Sequence, residues 1–217
     1  MKRVYYILIF SLSFIRSYSQ EKPISLSPYI FPEFTQGTVL LKTGIMYKTL
    51  LNYNLLSEEM IFENKGEKLA IAKEELELVD TVFIEDRKFF TLNNRFVELI
   101  NHSIFDLYAE HKCKLKFLGK PSAYGGTSLT SASTSASSFY SGGNFYELKL
   151  PDHYEVNPYT WYWLKKNGEL NRFINIKQLM KLYDNKKELF KIYVKMHDVK
   201  YDNELSIVQL INYLESN

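Results

Sequence analysis

Cysteine is almost missing from this chain: Cys113 stands alone among 217 residues. A single thiol closes no intrachain disulfide and builds no cysteine-based zinc site, which excludes both the disulfide scaffold and the zinc finger. Histidine is nearly as scarce. His102, His111, His153 and His197 are the full set, and none forms the His-x-x-x-His or His-Glu-x-x-His pair that turns two imidazoles toward a metal from one helix face. No glycine-rich phosphate loop joins a strand to a helix, and no Gly-x-Ser-x-Gly elbow presents a nucleophilic serine. Neither charge sign dominates, with 27 basic against 25 acidic residues. The apolar run at the N-terminus, Val4 to Ile15, has only 12 residues. As a helix it would be about 18 Å long, short of the roughly 30 Å hydrocarbon core of a bilayer.

That run does have the form of an export signal. Met1-Lys2-Arg3 makes a positive start, the apolar stretch follows, and Ser17 and Ser19 put small side chains where a signal peptidase would cut before Gln20. Removing residues 1–19 takes away three bases and no acid, so the formal charge moves from +2 to −1. The processed chain then has no global positive field for nucleic acid or an anionic membrane. No cysteine sits at the cut for lipid attachment. The expected address is periplasmic, outer-membrane associated or extracellular, with no transmembrane span in the processed chain.

From Gly37 to Phe117 the chain alternates short β-branched and aromatic runs with turn signals: Thr43-Gly44, Asn64-Lys65-Gly66, Asp86-Arg87-Lys88 and Asn93-Asn94. Strands are expected over 38–42, 46–53, 59–63, 68–72, 81–85, 89–92, 95–100 and 105–117, with one helical turn in 73–79. In the last of these runs the odd positions are mostly apolar and the even ones mostly charged, which puts Cys113 on the inward face as a small hydrophobe. Strands spaced by about ten residues, with no helices between them, exclude βαβ units and predict an antiparallel meander. Sandwich, roll and partly closed barrel all satisfy that pattern.

Ser and Thr then supply 11 of the 24 residues from Pro121 to Asn144, a composition too poor in bulky apolar groups to offset its ordering entropy. Its aromatic exceptions are Tyr124, Phe139 and Tyr140, which make it either a flexible excursion or a loop that orders on a partner. Structure is expected to resume with runs at 145–150 and 160–166, the turn Asn167-Gly168, and 170–174. Three short amphipathic helices should follow, from Ile176, from about Lys186 to Met196, and from about Asn203 to Leu214. Asn175 with Gln178, and Asn185 with Glu188, resemble capping boxes. The fold class is therefore α+β, mainly β, an antiparallel meander with three short C-terminal helices. Its divisions are a signal peptide (1–19), a meander domain (20–118), a Ser/Gly-rich loop (119–144) and a hairpin with helices (145–217).

Several phrases carry a resemblance: Phe31-Pro32-Glu33-Phe34 with Gly37-Thr38-Val39, Leu51-Asn52-Tyr53-Asn54, Met60-Ile61-Phe62, Val82-Phe83-Ile84 with Phe89-Phe90, and Phe173 to Leu179. The chain resembles a group of exported β-rich proteins common in Bacteroidota, over nearly all of its processed length. It departs at His102-Ser103, where a glycine-containing turn is usual. The resemblance implies an envelope address and brings no activity, cofactor or catalytic residue with it.

Candidates for chemistry are few, and no catalytic, cofactor-binding or metal-ligating residue is assigned. His102 and His111 would meet only across a hairpin. Asp152-His153 lacks a serine on a fixed turn, and the acidic pairs Glu58-Glu59 and Glu74-Glu75 read as solvated turns. Asn101-His102-Ser103 fits an N-glycosylation sequon, and Asp80-Thr81-Val82 an O-glycosylation motif of Bacteroidota. Trp161-Tyr162-Trp163, with Tyr154 and Tyr159, is the most informative cluster. On a strand the two tryptophans share one face, either as core under the helices or as a platform for sugar rings or a partner's apolar patch. The readings are, in order, a non-enzymatic envelope module binding or scaffolding another protein, a glycan-binding module using Trp161 and Trp163, and an envelope hydrolase assembled from scattered residues.

Overall fold

The computed structural model describes residues 27–117, 120–121, 127–128 and 154–217. Eight strands come first, joined by hairpins except between β4 and β5, where the chain crosses back to pair with β1: β1 (Thr35–Leu41), β2 (Met46–Asn54), β3 (Glu59–Asn64), β4 (Glu67–Ala70), β5 (Val79–Ile84), β6 (Arg87–Leu92), β7 (Arg95–His102) and β8 (Asp106–Phe117). A two-residue pair follows, β9 (Lys120–Pro121) with β10 (Thr127–Ser128), then β11 (Tyr154–Lys166), β12 (Glu169–Phe173) and the helices α1 (Ile176–Leu182), α2 (Lys187–His197) and α3 (Glu204–Ser216). Apart from the β9–β10 pair, the strands form one antiparallel sheet in the order β12-β11-β8-β7-β6-β5-β1-β2-β3-β4. The α+β, mainly β meander with three C-terminal helices is thus the observed fold. The hairpin after the Ser-rich tract is not a separate sheet, because β11 pairs with β8 from Tyr154↔Phe117 to Lys165↔Asp106.

Local chemistry sets the turns. Lys65-Gly66, Asn93-Asn94 and Asn167-Gly168 all have positive φ at both central positions, the geometry whose twist matches a two-residue hairpin. Between β5 and β6 the turn is Glu85-Asp86, so Arg87 and Lys88 belong to the strand and not to the turn expected there. The first helix is capped as expected, with Asn175 Oδ1 accepting from the Gln178 amide at 2.9 Å. Gln178 Oε1 reaches back to the Ile174 amide at 2.9 Å. The second box does not form. Asn185 lies in a short 3-10 turn (Asp184–Lys186), and α2 starts from Lys186 without a side-chain cap.

The sheet is open at β4 and β12, yet it coils. The corner between β2 and β3 returns onto the far strands: Cys113 donates its amide to Leu55 O at 3.2 Å, and the Tyr53 hydroxyl donates to His111 O at 3.2 Å. Of the three architectures the pattern allows, this coiled but open ten-stranded sheet comes nearest to the partly closed barrel. The enclosed face holds Phe31, Leu51, Tyr53, Met60, Val82, Ile84, Phe89 and Phe96. Phe31 enters on an incoming segment fixed by the buried Asn52, whose side chain accepts from the Phe31 amide and donates to Phe31 O. A second core on the same face joins Leu107, Ala109, Tyr162, Leu164 and Phe173 to Leu179, Phe190, Ile207, Leu210, Ile211 and Leu214 of the helices.

Gly37 is where β1 lies closest to its neighbours. A Cβ there would stand 2.5 Å from Phe83 O and 2.7 Å from Leu51 Cδ1, and the carbonyl belongs to backbone that cannot turn aside. Gly37→Ala is expected to lower the unfolding free energy by about 1–3 kcal/mol, read by urea titration. A loss below about 0.5 kcal/mol would contradict that close approach.

Candidate functional site

Strand alternation places two polar clusters on opposite faces of the same strands. On the helix side of β7, Phe96 belongs to the barrel core, Ile100 packs on the helical core, and Glu98 lies between them. The same order recurs on β8, where Ala109 is in the helical core, Cys113 packs on the barrel core, and His111 falls between. Glu98 and His111 therefore meet at the seam of the two cores, 2.6 Å apart. A carboxylate only accepts, so His111 Nε2 carries the proton of that bond. Arg87, on β6, gives Nε to Glu98 Oε1 at 2.6 Å and Nη2 to Glu98 Oε2, a bidentate fork.

Burial alone would raise the pKa of Glu98. The Arg87 fork and His111 outweigh it and hold the carboxyl below its ordinary range. Glu204, the first residue of α3, offers an oxygen within 4.8 Å of the Glu98 and His111 ligand atoms. Burial, aided by the Glu98 charge and opposed by His111 and Arg87, moves its pKa up. Two carboxylates and an imidazole are a metal-ligand set by chemistry. Here both Glu98 oxygens are already committed to a guanidinium, which supplies the neutralising positive charge itself. The cluster is an ion-pair network that joins β6, β7 and β8 at the foot of α3.

The other face carries the aromatic cluster. Tyr159, Trp161 and Trp163 project from β11 on the side away from the helices, and Tyr162 is the member that enters the core, fully buried against Phe173 and Tyr201. The reading of Trp161 and Trp163 as core under the helices is thereby corrected. The rings are interleaved with cations from the flanking strands. Lys112 of β8 and Arg172 of β12 stand 4.6 Å and 4.7 Å from the Trp161 centroid, Arg172 is 5.5 Å from Trp163, and Lys114 is 5.2 Å from Tyr159.

Beneath them Glu110, 1% exposed, organises the face. Its Oε1 accepts from Arg95 at 3.0 Å and Lys112 at 3.1 Å, and its Oε2 accepts from the Trp163 indole at 2.9 Å. Burial pushes the Glu110 pKa up, but Trp163, Lys112 and Arg95 together bring it below the ordinary carboxylate range. Glu58, expected to be a solvated turn residue, instead bridges Arg95 and Lys112 from the β2–β3 corner. The coiling of the sheet is what brings it there.

The remaining expected residues are dispersed. Tyr154 opens β11, while Tyr124, Phe139, Tyr140 and His153 lie outside the described residues. His102 pairs with Asp106 at 2.6 Å in the β7–β8 turn and does not meet His111. His197 stacks on Tyr193. The Cys113 thiol is half-buried, and burial raises its pKa to about 11, which leaves it a poor nucleophile. Thr81 is 4% exposed inside β5, so the O-glycosylation motif is closed off in the folded chain. In the sequon, the Asn101 amide is engaged by Ser103 Oγ and Phe105 O.

A cleft of about 570 Å³ opens elsewhere, between the β1–β2 hairpin, β3 and the 71–79 segment, lined by Val39, Leu41, Tyr47, Phe62, Ile71 and Leu78 among others. Among the described residues no helix is long and apolar enough to cross a membrane. Set against known proteins, the chain matches no family model, no curated protein and no solved structure.

Proposed function

We propose that this chain is an exported, non-catalytic module of the cell envelope that binds glycan on the β8–β11–β12 face. One observation carries the reading. Both tryptophans of the chain, with Tyr159 beside them, are placed in a row on the sheet face that neither core uses. Large aromatic rings are costly to leave in water and useful against the apolar faces of sugar rings. Tyr159 and Trp161 are 6.1 Å apart between centroids with their planes 59° apart, so a saccharide meets a strip of adjacent, angled rings rather than a single ring. The buried Glu110 fixes Trp163 from below, which limits the entropy lost on binding.

The two tryptophans make the test direct, because indole emission reports from this face alone. Saturable shifts in emission are expected with members of an oligosaccharide panel. Trp161→Ala is expected to weaken that binding by about tenfold, while thermal unfolding stays close to the parent protein. Saturable binding that survives Trp161→Ala unchanged, or a panel with no binder, contradicts the reading.

The exposed apolar rim of the cleft beside the β1–β2 hairpin supports a protein-binding role as the alternative. Among its lining residues Tyr47 is 55% exposed and Leu78 57%. Crosslinking from position 47 in the native envelope to one defined partner, lost in Leu78→Lys, would favour that alternative over the glycan reading.

A further inference from the structure

Arginine usage separates Arg172 from its fellows. Of the three arginines among the described residues, Arg87 is tied to Glu98 and Arg95 to Glu58 and Glu110. Arg172 has no carboxylate within 4.0 Å among the described residues, and it is exposed over both indoles. A guanidinium packed on an aromatic ring uses its π face for that contact. Its N–H donors lie in the plane of the group, directed away from the ring, and match the two oxygens of a carboxylate or sulfate. Arg172 thus stands against Trp161 and Trp163 with no carboxylate of the described residues on its donor fork.

The surrounding charges agree. On this face Arg95, Lys112 and Lys116 are matched by Glu58, Glu110 and Glu155. Lys114, exposed on the same face by strand parity, has no carboxylate partner among the described residues, whereas Lys165 stands opposite Asp106 in the β8–β11 register. The unmatched charge is positive and lies beside the aromatic strip.

Resting on the glycan reading above, the geometry points to an acidic saccharide as the ligand, with a carboxylate or sulfate received by the Arg172 fork and the sugar ring laid along Tyr159 and the indoles. Two unmatched cations, Arg172 and Lys114, suit a ligand with a few spaced charges. A nucleic acid presents a phosphate at every residue and is held by many such contacts.

The test uses the full processed chain and indole emission. The probes are uronate and sulfated oligosaccharides with their methyl-esterified and desulfated counterparts, single-stranded DNA, and vesicles of anionic phospholipid. An acidic probe is expected to bind at least about ten times more tightly than its neutral counterpart, and to weaken as salt is raised. Arg172→Gln is expected to abolish that preference, so that acidic and neutral probes bind alike. Arg172→Lys, which keeps the charge and loses the fork, is expected to fall between. Thermal unfolding of both variants checks that the exposed substitution leaves the fold intact.

Equal binding of acidic and neutral probes overturns this inference and leaves the glycan reading standing. Failure of every saccharide overturns both. DNA or vesicles binding as tightly as the acidic saccharide, with equal dependence on Arg172, overturns the acidic-saccharide assignment in favour of a general polyanion surface.

Discussion

Glu98→Ala is expected to cost about 3–5 kcal/mol of folding free energy, because it strands the Arg87 guanidinium and His111 at the seam between the cores. Against a total stability of roughly 5–15 kcal/mol for a domain, that is a large fraction, visible as a lower midpoint in urea unfolding. Replacing the pair together, Arg87→Met with Glu98→Leu, is expected to recover part of the loss, since apolar groups of similar volume avoid the desolvation that the ions suffer, while His111 still lacks its acceptor.

The pH dependence follows from the lowered Glu98 pKa. Its contribution is fully present above the unfolded carboxylate value of about 4.3 and is lost as pH falls through the lower folded value. Glu204 acts with the opposite sign: its raised pKa means that ionisation opposes folding, so Glu204→Gln is expected to gain stability at neutral pH and nothing in acid. A Glu98→Ala loss below about 1 kcal/mol would show that the seam does not depend on the ion pair.

Glu110→Ala is expected to have an effect of the same size, about 3–5 kcal/mol, with a consequence for binding that Glu98→Ala lacks. Removing this carboxylate leaves Lys112, itself 5% exposed, with only Glu58, and frees the Trp163 indole from its acceptor. Indole emission should move toward a more solvated environment, and glycan affinity should fall along with stability. Glu98→Ala, measured under conditions where it stays folded, should leave affinity unchanged because it acts on the opposite face. The Glu110 pKa is also lowered. Its stabilisation is therefore lost as pH falls through the folded value, and the emission change should follow that titration. Loss of stability with unchanged indole emission would contradict the role given to Glu110.

How much of this was legible in the sequence depends on distance along the chain. The hairpins were readable because each is closed by two or three residues whose preference for positive φ is local. The Asn167-Gly168 turn even fixes the register that sets Trp163 opposite Arg172. The partner of Trp161 on the other side was not readable. Glu110 is joined to it through a long Ser-rich connection, and nothing local specifies how β11 aligns on β8. The misplaced Asp86-Arg87-Lys88 turn hid Arg87 as a loop residue, and with it the seam network. Charged residues at alternate positions of β8 read as a solvated face. That assignment fits Lys114 and fails for Glu110 and Lys112, because only the coiling of the sheet brings Glu58 and Arg95 over them.

Core against surface for the tryptophans was undecidable from alternation alone. A strand with Tyr162 on one face and Trp161 and Trp163 on the other is apolar on both, and the pattern does not say which face the helices cover. The helices choose the Tyr162 face through Leu179, Phe190 and Leu210. That choice leaves the indoles on the face away from the helices.

The most direct test of the central claim is an NMR titration of the folded protein with the best acidic oligosaccharide. Two indole N–H resonances exist, one per tryptophan. The account predicts that both shift in a saturable way, together with amides around Trp161, Lys112 and Arg172, while amides of α1 to α3 and of the β1–β2 hairpin stay in place. Shifts concentrated at Tyr47, Ile71 or Leu78, with the indoles unmoved, would contradict it.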